Sequence, residues 1–418
     1  MSEGAQAQTN APHIPEHGFL RRTFSSFHYR DFRLLWIGAC TSSIGTWMQS
    51  VAQNWLVLDL TNSPRMLGLD AFLGQIPIFL FSLIGGVIAD RMDRRRLLVS
   101  SQFVQMSCAL ALALLFAVGR VEVWHILALS FVVGLAQAFG GPAYQALVPT
   151  LVPPRELSNA IALNSIQFNL ARVIGPMLGG IALTTIGAAW CFAANGVSYF
   201  APIIALLLLP RRPLPRTGIT LFSSLKEGLN FVAKREGLPQ LIILAFCMTA
   251  FGIPLLVYIP VVVRDVFHLG AATFTWMLVT SGAGAVLGAL IVAALGHAQD
   301  KGRIALLTLA ILGVLIAGFG LSRSLLLSYV LLFLGGVALM AVFAMISSLV
   351  QLIVPDEMRG RVMSVYNVAF RGGMPFGALI SGDLISKWNV HSVLAGNGVI
   401  LFAIALWFLL VQRRVAKL

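Results

Sequence analysis

The stretch Gly86-Val-Ile-Ala-Asp90-Arg91-Met-Asp93-Arg94-Arg95-Arg96 decides how the rest of the chain is read. It is a short cationic loop between two long apolar runs. Leu67 to Ala89 comes before it, with Asp70 and Gln75 as the strongly polar members, and Leu97 to Val118 follows with no charge. Each run exceeds 20 residues, enough to cross a hydrocarbon core about 30 Å thick at roughly 1.5 Å per residue. The loop therefore joins two membrane-spanning helices with little slack. Its four arginines place it on the cytoplasmic side, because translocating positive charge is disfavoured.

The whole chain has the same character. It has 418 residues, of which 58% are hydrophobic and 11% charged, where a soluble domain carries roughly 25% charged residues. The expected class is an all-α polytopic membrane protein with room for twelve spans. The net charge of +13 does not point to nucleic acid. Of 29 lysines and arginines, 22 fall in the termini and even-numbered loops, a bias that is topological and puts both termini in the cytoplasm. The acidic partner this implies is the anionic headgroups of the bilayer. Four cysteines lie singly inside apolar runs, so no disulfide, metal or cofactor is expected.

In chain order, residues 1–33 read as a cytoplasmic tail and 34–209 as a six-helix bundle. Residues 210–239 read as a cytoplasmic linker, with a stiff basic stretch at 211–216 and an amphipathic surface helix from Leu221 to Val232. A second six-helix bundle is expected over 240–411, and a cytoplasmic tail over 412–418. The halves repeat. Gly86-x-x-x-Asp90-Arg91 returns as Gly296-x-x-x-Asp300-Lys301, and Val152-Pro153 as Val354-Pro355. Arg172-x-x-x-Pro176 returns as Arg371-x-x-x-Pro375, and Asn195-Gly-Val as Asn397-Gly-Val. Four matches in one order, with offsets from 199 to 210, indicate two halves related by an axis along the membrane normal.

The loop after span 2 and this duplication resemble the major facilitator superfamily, from about Arg30 to the C-terminus. Asp93 stands where superfamily members usually have glycine. Asp-Arg-x-Asp-Arg is similar to the drug and siderophore exporter branch, which includes enterobactin exporters. Ala171-x-x-x-Gly175-Pro176-x-x-Gly179-Gly180 resembles the span-5 motif of superfamily antiporters, with alanine for its first glycine. The resemblance implies a monomeric secondary transporter of the bacterial inner membrane. Span 4 departs from the pattern: the arginine usually linked to proton coupling is missing, as no lysine or arginine occurs between Arg120 and Arg155.

Several polar residues stand out against this apolar background. Ser42, Thr46, Gln49 and Gln53 share one face of span 1. Lipid does not tolerate such a stripe, so it lines a wet substrate cavity or hydrogen-bonds neighbouring helices. Arg172 sits 13 residues from either end of span 5, where an arginine costs about 2.5–3.5 kcal/mol on insertion scales. It is either a deep cation for cargo or a structural residue locked to carbonyls, and the same alternatives hold for Arg371 in span 11. Asp70 is the acid well inside the first half; it is a proton carrier or a hydrated mouth residue. Asp90, Arg359 and Arg361 would form a latch between the end of span 2 and the start of span 11, unless Asp90 pairs within its own loop. Together with Gly86, Arg91, Arg94 and Arg95 they make up the expected gating loop.

Soluble-enzyme motifs, including a phosphate loop and His-Glu-x-x-His, do not occur in the chain. The expectation is therefore not an enzyme but a proton-coupled exporter of a small amphipathic organic compound, a drug or siderophore, working by alternating access. The alternatives are proton-coupled uptake and a non-transporting receptor or scaffold.

Overall fold

In the computed structural model residues 24–210, 221–294 and 300–416 are described, without the side chains of Asp90, residues 221–226 and Asp356. The basic stretch 211–216, the repeat glycine Gly296 and residues 1–23 lie outside the described residues. The helices fall where the apolar runs and turn residues put them. Span 1 is Arg30–Thr61, span 2 Pro64–Arg91, span 3 Arg94–Ala117, span 4 Val123–Leu147 and span 5 Leu157–Thr185. Span 6 is Ala188–Ser198 plus Phe200–Leu208, followed by the linker helix Leu221–Lys234. Span 7 is Leu238–Gly252, Pro254–Val257 and Ile259–Asp265. Span 8 is Ala271–Ala294, span 9 Lys301–Leu321, span 10 Leu325–Ile353, span 11 Asp356–Lys387 and span 12 Val390–Leu406, ending in a wide turn over Trp407–Gln412.

Local chemistry sets the joints. Asn62 takes the left-handed conformation (φ 50°) and Pro64 opens span 2, so Thr61-Asn-Ser-Pro64 reverses the chain tightly. Span 7 breaks at Ile253, just before Pro254, and at Tyr258, two residues before Pro260; each proline removes a backbone donor. Ten of the twelve spans are apolar enough by length and composition to cross a membrane. Spans 1 and 11 fall short because they carry the polar stripe and the buried-span charges, which marks them as helices that need polar neighbours.

The basic loop has a structural duty. Asp93 caps span 3, its Oδ1 accepting from Arg95 N (3.0 Å) and Arg96 N (3.4 Å). Aspartate at this position is thus a helix cap. Arg94 Nη1 donates to Ala146 O at the end of span 4 (3.0 Å). Arg95 donates from Nη1 to Leu209 O and from Nη2 to Leu207 O at the end of span 6 (2.6 Å each). Two arginines therefore satisfy carbonyls at helix C-termini, where orphan acceptors and the negative end of the dipole both favour a cation. The N-terminal turn Ser25–His28 docks on the same face, with Ser25 Oγ donating to Glu156 Oε2 (2.5 Å). This is the terminal face, and the far side is the opposite face.

The halves meet along spans 2 and 11 and along spans 5 and 8. Among the described residues, side-chain contacts across the first seam cluster in the half toward the opposite face. Arg65 N donates to Ser386 Oγ (3.1 Å), Arg65 Nε lies 3.6 Å from Asp383 Oδ1, and Phe72 and Phe79 each pack on Phe376 at 6.0 Å. Arg264 Nη1 donates to Leu58 O (3.1 Å), tying the far ends of spans 7 and 1. Gly86, near the terminal end of span 2, has nothing within 4 Å of an added Cβ. The seam is shut on the opposite face.

Removing the Arg95 side chain would leave two partly exposed helix-end carbonyls without their charged donor. Arg95→Ala is expected to lower stability by about 1–2 kcal/mol, read as a loss of a few degrees in thermal unfolding of the detergent-solubilised protein. Arg95→Lys should recover part of it.

Candidate functional site: a polar network and two deep arginines

Asp70 is buried in span 2 and is met by two other helices of its own half. Ser130 Oγ in span 4 donates to Oδ1 (2.5 Å), and Gln53 Nε2 in span 1 donates to Oδ2 (2.8 Å) and reaches Ser130 Oγ (2.9 Å). Gln49 Nε2 donates to Gln53 Oε1 (3.3 Å), and Asn195 Nδ2 in span 6 donates to Gln49 Oε1 (2.7 Å). Spans 1, 2, 4 and 6 are thus joined by one chain of hydrogen bonds that ends on a carboxylate. A second chain lies nearer the terminal face. Thr46 Oγ1 pairs with Tyr199 OH (3.1 Å), which donates to Gln105 Oε1 (3.3 Å), and Gln105 Nε2 donates to Ser101 Oγ (3.1 Å).

These bonds revise the cavity reading of the span-1 stripe. Ser42 is buried and returns its hydroxyl to Ala39 O (3.3 Å). Gln49 and Gln53 are half-buried and committed to Asn195, Asp70 and Ser130; Thr46 is the exposed member of the stripe. In an apolar medium an amide left unpaired is costly, so neighbouring helices claim these groups first. The sequence offered a partial signal for Asn195, through its repeat at Asn397, and none for Ser130.

Arg172 remains without an ion pair or hydrogen bond among the described residues; its guanidinium carbon stands 6.0 Å from the centre of the Trp47 ring. Phe168 packs edge-on to Trp47 at 6.2 Å. Three residues before Arg172, Asn169 has a buried Oδ1 with no partner, although its Nδ2 donates to Ser165 O (2.8 Å). Half-buried Arg172, the unpaired Asn169 acceptor and Phe168 lie within two turns of span 5, with the Trp47 ring of span 1 beside them. Arg371 is half-buried and likewise has no ion pair or hydrogen bond among the described residues.

The glycines explain how close the helices come, and they correct the repeat. An added Cβ on Gly175 would lie 2.8 Å from Ile44 O, and one on Gly179 2.7 Å from Met48 O, so span 5 rides directly on span 1. In the second half Gly373 and Gly377 do the same against Ala250 of span 7. These pairs are offset by 198, one fewer than the Arg172–Arg371 pair. By packing position the counterpart of Arg172 is Phe370, which lies 4.8 Å from Phe343 and 6.1 Å from Tyr366. Arg371 is turned about 100° further round its helix. The two arginines are therefore not equivalent across the halves. Gly180 abuts the Thr275 side chain of span 8 across the other seam, and Pro176 is buried beside it.

At the gate, Arg91 is exposed and Arg94 and Arg95 hold helix ends. Arg361 Nη1 pairs with Glu227 Oε2 of the linker helix at 2.5 Å. The expected latch partner is thus engaged elsewhere; the side chain of Asp90 is outside the described residues, and Arg359 is exposed. A cavity of about 470 Å³ lies on the opposite face, lined by Asn62, Arg264, Trp388 and His391, away from Arg172.

The chain matches the family described as transmembrane secretion effector over residues 21–417. It belongs to that family of the major facilitator superfamily. It is 26% identical over 387 residues to the enterobactin exporter EntS of Shigella boydii serotype 18, covering 92% of each chain. It is 25% identical over the same span to EntS of Citrobacter koseri. Among solved structures it shares the fold of a bacterial homolog of the human lysosomal transporter Spinster, inward-facing and unoccupied (TM-score 0.73, 14% identity, 94% of this chain and 98% of that one). It also shares the fold of a D-xylose–proton symporter (TM-score 0.72, 14% identity, 91% and 97%). The protein is a multi-pass membrane transporter of the major facilitator type, not an enzyme.

Gly180 lets span 5 meet Thr275 at the closed end of its seam. Gly180→Val is expected to part that end while leaving each bundle folded. The check is cross-linking between cysteines at Ile181 and Thr273, which should fall several-fold at unchanged yield.

Proposed function

We propose that the chain is a proton-coupled exporter of a small anionic, amphipathic organic compound such as a siderophore or drug, working by alternating access. The observation that carries this is Arg172, a cation midway along a membrane span that has no ion pair or hydrogen bond among the described residues and stands beside Trp47. An isolated arginine there is costly, and an anionic cargo with an aromatic or apolar body would relieve that cost through a bidentate pair and stacking. Arg371, on the other half, supplies a second cation that would engage the cargo from a different angle. The export direction is supported by the name of the relatives and by the span-5 motif Gly175, Pro176, Gly179 and Gly180.

Asp70 is the proposed proton carrier. It is the buried acid of the first half, and its partners are neutral donors. Losing or gaining a proton there changes which atoms donate and accept along Gln53, Gln49 and Asn195, and so changes how spans 1, 2, 4 and 6 are held together. The basic loop and termini are assigned to the cytoplasm of a bacterial inner membrane, which makes the closed opposite face the outer one. Uptake by the same fold is the second reading, with the D-xylose–proton symporter as its fold neighbour; sided flux separates the two.

Counterflow and proton-driven flux in proteoliposomes test both roles, with a catecholate siderophore as probe. Arg172→Ala is expected to weaken cargo binding at least tenfold, and Arg172→Lys to recover it only partly, because a point charge replaces a fork. Asp70→Asn should retain counterflow and lose proton-driven accumulation. Normal flux in both variants would remove these residues from the mechanism.

A further inference from the structure

The seam between spans 2 and 11 differs at its two ends. Toward the opposite face the spans touch directly: an added Cβ on Gly372 would lie 2.7 Å from the Phe79 ring, and one on Gly382 2.9 Å from Pro64 O. Toward the terminal face the linker helix Leu221–Lys234 packs on the first turns of span 11 and touches span 2 as well. Gly228 allows that close seating, because a Cβ there would come within 2.8 Å of Arg361 O and 3.3 Å of Val365 Cγ2. Glu227 Oε2, one residue earlier, pairs with Arg361 Nη1 at 2.5 Å.

We propose that this helix is a wedge that keeps the terminal face open, held in its seat by the Glu227–Arg361 ion pair. The proposal rests on the two-state reading above but not on any cargo. Two spans cannot meet where a third helix is seated against both, so closure requires the helix to move.

The opposite face has a charged tie with a partner in each half. Asp383 Oδ1 lies 3.6 Å from Arg65 Nε across the seam, and Asp383 Oδ2 lies 2.6 Å from Lys387 Nζ in its own helix. A gate charge with one partner in each half is not stripped bare when the halves part, which avoids the large penalty of an uncompensated charge. Arg361 has its own-half partner in Glu227.

The test is the reactivity of a cysteine in the closed seam. Ala378 is 1% exposed and packs behind Gly68 at the closed end. In a background with the native cysteines changed to serine, Ala378→Cys reports opening of the opposite face to a membrane-impermeant maleimide applied from that side. Glu227→Gln should raise its labelling rate about two- to fivefold, the size expected of one half-exposed ion pair. Gly228→Ala, which crowds the seat without changing charge, should raise it too. The exchange Glu227→Arg with Arg361→Glu should return it toward the parent value. Unchanged or slower labelling in both Glu227→Gln and Gly228→Ala would overturn the wedge. The assay needs no transport, so a negative export result leaves it readable.

Discussion

Spans 2 and 11 touch over one end of their length and not the other, and the rest of the molecule is organised around that asymmetry. Backbone approach at Gly68, Gly372 and Gly382 and the ring contacts of Phe72, Phe79 and Phe376 close one end. Helix pairs in lipid gain little from burying apolar surface, because lipid tails are equally apolar. Such a seam is therefore held by close packing and a few polar ties, and it can part at modest cost. That property suits the alternating access proposed for this transporter.

The first bundle has the opposite requirement, to move as a unit. Asp70, Ser130, Gln53, Gln49 and Asn195 bind four helices through polar groups that have no alternative partner in lipid. Gly175 and Gly179 seat span 5 on span 1 at backbone contact. The same network holds the buried acid, so a change in its proton is felt by the helices that form the bundle. Arg172, on span 5, takes no part in the network and has no ion pair or hydrogen bond among the described residues.

Much of the fold was legible because membrane spans are written in length and charge. The uninterrupted apolar runs, Thr61-Asn-Ser-Pro64 and the arginines of 91–96 located the helices and their joints without any contact being known. The polar stripe of span 1 was visible, but its partners were not, because Ser130 and Gln105 come from distant segments and carry no local pattern. The Arg172–Arg371 correspondence looked like a repeat and was one residue out, since a helix shifts its face by about 100° per residue and only the glycine contacts reveal the register. Glu227 was the least predictable partner. It lies on a linker helix whose amphipathic pattern fits a membrane surface equally well, and its seat depends on Gly228 meeting the backbone of span 11.

The central claim is that the two ends of the molecule open in alternation. Spin labels at Leu60 and Trp388, exposed on the opposite face, and at Met92 and Leu352, exposed on the terminal face, measure both ends directly. Pulsed dipolar distances should show two populations whose weights change with pH or cargo, the Leu60–Trp388 distance lengthening as the Met92–Leu352 distance shortens. Distances that stay single-valued under all conditions, or that lengthen together, would contradict the account.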